Sequence, residues 1–172
     1  MDVKRIAIDG PESTGKSELA TFLALSFNAF VVPEMARKYL NHLGRAYHQN
    51  DLLEIAHLQC KAEDDAAGEH RIIFCDTTLL VIKIWSEFKY GNCHPWIEAE
   101  YHKRKYNLHL LTNIDLPWEV DPLREHPLER QILFDKYHFE MKCAGINYEI
   151  ITGTGKSREE KALSYCKKYF TF

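Results

Sequence analysis

The chain predicts an α/β three-layer sandwich on a parallel sheet of about five strands, and three observations carry that prediction. Short apolar runs alternate with helical patterns along the whole sequence. Runs such as Ala29–Val32 and Ile72–Cys75 are apolar throughout, as strands covered by helices on both faces must be. Between the first run and the first helical pattern stands Gly10-Pro11-Glu12-Ser13-Thr14-Gly15-Lys16-Ser17, which fits G-x-x-x-x-G-K-[ST].

The elements follow in order. Val3 to Ile8 reads as the first strand. From Lys16 a helix begins, with Leu19, Ala20, Leu23, Ala24 and Phe27 on one face. Ala29 to Val32 is the second strand, followed by a helix from about Glu34 to Leu43. Asn50 or Asp51 can cap a long helix carrying Leu52, Leu53, Ala56, Cys60, Glu63 and Ala67. Ile72 to Cys75 is the third strand and ends at Asp76. Leu79 to Tyr90 follows as a helix, with Leu80, Ile84 and Phe88 spaced by four. Leu108 to Leu111 and Tyr148 to Ile151 supply strands four and five, and a last helix runs from about Arg158 to Tyr169. Leu116 to Pro127 is the least regular stretch, rich in Pro, Asp, Glu and Arg. Extended to Arg130, it is expected to form a small mobile lid on one domain spanning residues 1–172.

Composition narrows the function classes. A formal charge of −3 gives no general pull toward nucleic acid or anionic lipid. No apolar run approaches the roughly 18 residues of a membrane span, and the first strand follows the initiator too closely to leave room for a signal peptide. The five cysteines are an odd number without a C-x-x-C pair, which points to reduced thiols in a cytoplasmic protein. The run His102-Lys103-Arg104-Lys105 reads as a solvated helix end with cations near the C-terminus.

The glycine-bearing turn between strand and helix forms an anion cradle. Gly10 and Gly15 let the backbone curl, so that N–H groups of Glu12, Ser13, Thr14 and Gly15 point inward, and the helix start adds about half a positive charge. Lys16 would reach the β/γ-phosphates of ATP, and the Ser17 hydroxyl would ligate Mg²⁺. Asp76, at the end of a buried strand, can hold the same metal or cap the helix beginning at Thr78. Glu34, two residues beyond the second strand, can take a hydroxyl proton or simply favour the start of its helix. Arg37, one turn on, can contact phosphate or pair with Glu34. Arg124 and Arg130 would bring positive charge over the cradle on lid closure. Glu12 is expected to turn away from phosphate, toward an acceptor or a lid arginine. Asp9 is assigned to turn chemistry. Gly153-Thr154-Gly155-Lys156-Ser157 lacks the first glycine of a second phosphate loop, so it reads as an adenine-edge contact or a helix cap. Thr112-Asn113-Ile114-Asp115 lacks the lysine of a guanine-reading motif.

Taken together, G-P-E-S-T-G-K-S at 10–17, P-E-M-A-R at 33–37, F-C-D-T-T at 74–78, W-S-E-F-K-Y-G at 85–91, H-P at 94–95 and P-W-E-V-D-P-L-R at 117–124 carry a resemblance over most of the chain. The sequence resembles the nicotinamide riboside kinase module of bacterial bifunctional NAD-biosynthesis proteins and related stand-alone P-loop ATP-binding proteins. The resemblance implies a P-loop kinase fold that moves the ATP γ-phosphoryl group to a ribonucleoside 5′-hydroxyl with Mg²⁺. Lys16 and Ser17 would hold phosphate and metal, Asp76 the strand-end acid position, Glu34 the place beside the acceptor, and Arg124 that of the lid arginine. Two departures stand out: Thr78 replaces the second acid of D-T-D, and Pro33 stands where an aromatic can precede the glutamate. A nucleotide-sensing module without turnover, or a kinase of another nucleoside or nucleotide, would use the same cradle. The nicotinamide platform is open among Trp85, Tyr90, Trp96 and Trp118.

Overall fold

A computed structural model describes residues 3–169. Its sheet holds five strands: β1 (Lys4–Asp9), β2 (Phe30–Val32), β3 (Ile72–Asp76), β4 (Leu108–Thr112) and β5 (Tyr148–Ile151). They lie in the order β2-β3-β1-β4-β5, every pairing parallel, with Ile8 between Asp76 and Leu110. Each expected strand stands within one residue of its observed bounds.

Among the described residues seven helices complete the layers: α1 (Lys16–Phe27), α2 (Met35–Leu43), α3 (Gln49–Glu69), α4 (Leu79–Tyr90), α5 (Pro95–Lys103), α6 (Arg130–Cys143) and α7 (Gly155–Tyr169). On one face, Leu19 and Leu23 of α1 and Ala162 and Cys166 of α7 pack on Ile6, Ile8 and Phe74. On the other, Leu52 and Ile55 of α3, Leu80 and Ile84 of α4, and Tyr137 and Met141 of α6 share a core with Leu111. Parallel strands need such cover, because neither face can meet water without exposing apolar side chains.

Four local expectations are corrected. The α3 cap is His48, and Asp51 is the third helical residue. Its carboxylate takes the His48 N–H at 2.7 Å and a two-pronged contact from Arg45 at 2.8 Å, which fixes the helix start from inside. Helix α7 starts at Gly155, three residues before Arg158. Helix α5 was expected only from its C-terminal end at His102–Lys105; its start was not read, although Pro95 at its first turn and the His94 ring accepting the Trp96 N–H are start signals. The helix end expected at His102–Lys105 is there, with exposed His102 and Lys103 in the last turn, but the Arg104 side chain is not solvated: it packs against Glu63 at 3.2 Å and Glu100 at 3.3 Å. Glu63 is wholly buried, and a charge there demands a cation.

Candidate active site

Three strand ends supply the site, at the sheet edge where open α/β folds bind ligands. The turn after β1 has the geometry of a phosphate cradle. Gly10 has φ +142°, and a Cβ there would come within 2.9 Å of the Thr112 carbonyl. Gly15 has φ +69°, and a Cβ would meet the Leu116 side chain at 2.8 Å. Only glycine fits either position. Thr14 is locked below, its hydroxyl donating to the Pro11 carbonyl at 2.7 Å and sharing a 2.7 Å contact with the Thr112 hydroxyl. The Lys16 ammonium lies over the turn, donating to the carbonyls of Gly10 (3.1 Å) and Pro11 (2.8 Å). Arg158 braces the turn from behind, donating to the carbonyls of Thr14 and Gly153.

Asp76 and Ser17 meet beside this cradle. Ser17 stands beside the Asp76 carboxylate: burial raises the Asp76 pKa, while the Ser17 hydroxyl and then the Lys16 charge pull it down. The carboxylate Oδ1 is buried without a partner. An unpartnered hard oxygen next to a serine hydroxyl suits Mg²⁺. The helix-cap alternative for Asp76 does not hold, because the Thr78 hydroxyl caps α4 by accepting the Leu80 N–H at 3.3 Å. Thr78 in turn donates its N–H (3.1 Å) and hydroxyl (2.7 Å) to Asp9 Oδ1, while His109 Nδ1 contacts Oδ2 at 2.7 Å. Asp9 is therefore not a turn residue: it is a buried junction joining β1, β4 and α4. A second acid at position 78 would set two carboxylates against each other, which accounts for threonine there.

Glu34 immediately precedes α2 and makes no side-chain cap, so its carboxylate is free to face the cleft. Burial raises its pKa, Lys16 lowers it, and Asp76 raises it. Arg37 is 4.0 Å from Glu34 and donates to Asp121 at 2.8 Å, tying α2 to the segment before α6.

That segment is folded over the cradle. Arg124 donates to the Ser13 hydroxyl (3.3 Å) and the Glu119 carbonyl (2.7 Å). Arg130 donates to the carbonyls of Ser13 (3.1 Å) and Leu116 (2.9 Å). The partners of Glu12 are backbone amides of this segment rather than one of its arginines: the N–H groups of Glu125 and His126, each at 3.0 Å. Two amides aimed at one point satisfy a carboxylate without a matched cation.

Beyond Glu34 the cleft opens into an apolar chamber walled by Leu40, Val81, Trp85, Phe88, Leu133 and Tyr137, the whole enclosing about 460 Å³. Of the candidate ring platforms, Trp85 lines this chamber, Trp96 packs on His57, and Trp118 lies near Arg130. Thr77 also lines it, with φ +74° and a buried, unpartnered hydroxyl. A β-branched residue is rarely held in that conformation, and such strain gathers at functional sites. No pattern of residue types announces it. Tyr47, whose hydroxyl accepts the Trp85 indole N–H at 2.8 Å, was likewise missed. Among the described residues no group of His, Cys, Asp and Glu forms a multi-ligand metal cage, and no helix is long and apolar enough to cross a membrane.

Comparison with known proteins agrees with this geometry. The trifunctional NAD biosynthesis/regulator protein NadR of Escherichia coli (strain K12) is 32% identical over 127 residues, covering 71% of this chain and 31% of that protein. The chain thus spans about a third of the length of the curated relatives it matches. Its fold is similar to that of a NadR protein crystallised in complex with NR, at TM-score 0.83 and 18% identity, covering 99% of this chain and 52% of that one. It is also similar to a thymidylate kinase from Ehrlichia chaffeensis, at TM-score 0.70 and 11% identity, covering 98% of both. These likenesses establish the P-loop kinase fold. The AAA domain family matches residues 5–160, nearly the whole length, and the chain belongs to that family.

Proposed function

We propose that this chain is an ATP-dependent nucleoside kinase, with nicotinamide riboside as its acceptor, acting in NAD metabolism. One observation carries the reading: a phosphate cradle, the Glu34 carboxylate and an aromatic chamber line one continuous cleft. A nucleotide-binding module alone needs only the first of these. The similarity to NadR, and the NR bound by its structural neighbour, which we read as nicotinamide riboside, support the choice of acceptor.

In this reading the backbone N–H groups of residues 12–15 and the Lys16 ammonium hold the triphosphate. Arg124 and Arg130 add positive charge from the lid and exclude water. Ser17 and Asp76 would hold Mg²⁺, which when bound neutralises charge on the β- and γ-phosphates. Glu34 accepts or orients the proton of the attacking hydroxyl, helped by a pKa that burial has brought upward. Trp85 and Phe88 offer flat apolar surface to the base.

The test is ADP formation from ATP and Mg²⁺ with a panel of nucleosides. Turnover dependent on nicotinamide riboside supports the reading. Turnover with a different nucleoside moves the acceptor, and tight ATP binding with no turnover makes the chain a binding module.

A further inference from the structure

Tyr47 lies in the connection between α2 and α3, outside every motif, yet its hydroxyl is fully engaged. It accepts the Trp85 indole N–H at 2.8 Å and the Lys89 ammonium at 2.6 Å, and it donates to Glu125 Oε2. A phenol offers one proton and two lone pairs, so no capacity is left over. Lys89 also lies 3.8 Å from the centre of the Tyr47 ring and 2.9 Å from Glu125 Oε1. Burial and then the Glu125 carboxylate raise the phenol pKa, which keeps the proton that the lid carboxylate receives.

The partners matter more than the count. Trp85 belongs to the wall of the chamber, and its ring meets Tyr47 edge-on with centroids 5.0 Å apart. Glu125 belongs to the lid, and its own N–H reaches Glu12 in the cradle at 3.0 Å. The path Trp85–Tyr47–Glu125–Glu12 therefore runs from the acceptor wall, through the lid, to the phosphate turn. An indole has a single N–H donor. The group that takes it decides how the ring is rotated toward the cleft.

We propose that Tyr47 is a positioning residue for the acceptor: its hydroxyl fixes the face that Trp85 presents to the base and joins that face to the closed lid. This rests on the kinase reading above. Tyr47 touches neither nucleotide nor acceptor, and acts through Trp85 and Glu125.

Tyr47→Phe removes the hydroxyl and keeps the ring, so the packing with Trp85 and Lys89 survives. Expected is a rise of about tenfold in KM for nicotinamide riboside, equivalent to about 1.4 kcal/mol, with kcat within about twofold and ATP affinity unchanged. In a Trp96→Phe/Trp118→Phe background, where Trp85 is the one indole, acrylamide quenching should rise on adding Tyr47→Phe. Glu125→Gln retains an oxygen for the Tyr47 proton and should give a smaller KM effect than Tyr47→Phe. An unchanged acceptor KM with unchanged quenching overturns the proposal. So does a loss of ATP affinity equal to the loss for acceptor, since that marks a general structural role. If the unsubstituted protein forms no ADP with any nucleoside, the kinase reading fails and the acceptor role with it, while quenching still decides whether Tyr47 holds Trp85.

Discussion

Asp9 and Asp76 end adjacent strands of one sheet, and both are buried, at 0% and 4% exposure. Their surroundings differ in one respect. Both Asp9 oxygens are taken, by Thr78 and His109. Asp76 leaves Oδ1 buried without a partner, and Ser17 and Lys16 of the cradle act on its carboxylate. A buried carboxylate with both oxygens directed at donors stabilises the fold, whereas one with an oxygen left over can take a partner from outside the chain. Position must agree as well. Glu63 also keeps an unpartnered buried oxygen, but its other oxygen is bound by Tyr106 and Arg104, and the cations that act on it are Arg104 and Arg5 rather than Lys16 of the cradle. Together with its place beside Lys16, the free oxygen of Asp76 is what the proposed function rests on when it assigns Asp76 to metal and Asp9 to structure.

The contrast can be broken at either member. The largest effect is expected at the working end. Asp76→Asn and Lys16→Ala should each lower kcat by about 10²–10³, or roughly 3–4 kcal/mol of transition-state stabilisation, with the fold intact by circular dichroism. Asp9→Asn should act in the opposite manner. Its amide hydrogens would confront donors from Thr78 or His109, costing about 2–4 kcal/mol in urea denaturation. The Asp76 variant should show no such loss. If Asp76→Asn unfolds as readily as Asp9→Asn, the distinction fails.

Glu34 gives a smaller and pH-dependent effect. Its folded pKa is raised above 4.5, chiefly by burial. The carboxyl group therefore binds its proton more tightly when folded. Its stabilising contribution is complete below pH 4.5 and is lost as pH rises through the folded value. Glu34→Gln should flatten that part of the stability–pH curve and gain a few tenths to about 1 kcal/mol at neutral pH. The same substitution should remove the acid limb of the kcat/KM profile, which in the unsubstituted protein is expected above pH 4.5. A Glu34→Gln variant that keeps that limb assigns the base elsewhere.

How much of this was legible from residue types depends on the distance between partners. The strands were readable to within a residue because burial on both faces leaves unbroken apolar runs such as Ile72–Cys75. The cradle was readable because all its chemistry lies within residues 10–17 and depends on glycine at two fixed positions. The proposed working acids Asp76 and Glu34 could be located because they follow strands and so must stand at the sheet edge. What escaped joins residues far apart in the chain. Tyr47 meets Glu125 across 78 positions, and Asp9 meets His109 across 100. The left-handed backbone of Thr77 escaped for another reason: threonine does not signal a positive φ as glycine does, and only the N–H of Thr77 donating to Ile8 at 3.1 Å reveals what holds it. Helix α6 was not read as an element: it begins at Arg130, where the irregular stretch with Pro127 and its charged residues, read as lid, ends.

The most direct test is calorimetric titration of ATP with and without Mg²⁺ into the unsubstituted protein and the Asp76→Asn variant. Expected is tightening by Mg²⁺ of at least about tenfold in the first, equivalent to about 1.4 kcal/mol, and little or none in the second. Equal Mg²⁺ dependence in the two proteins would contradict the role given to the unpartnered oxygen of Asp76.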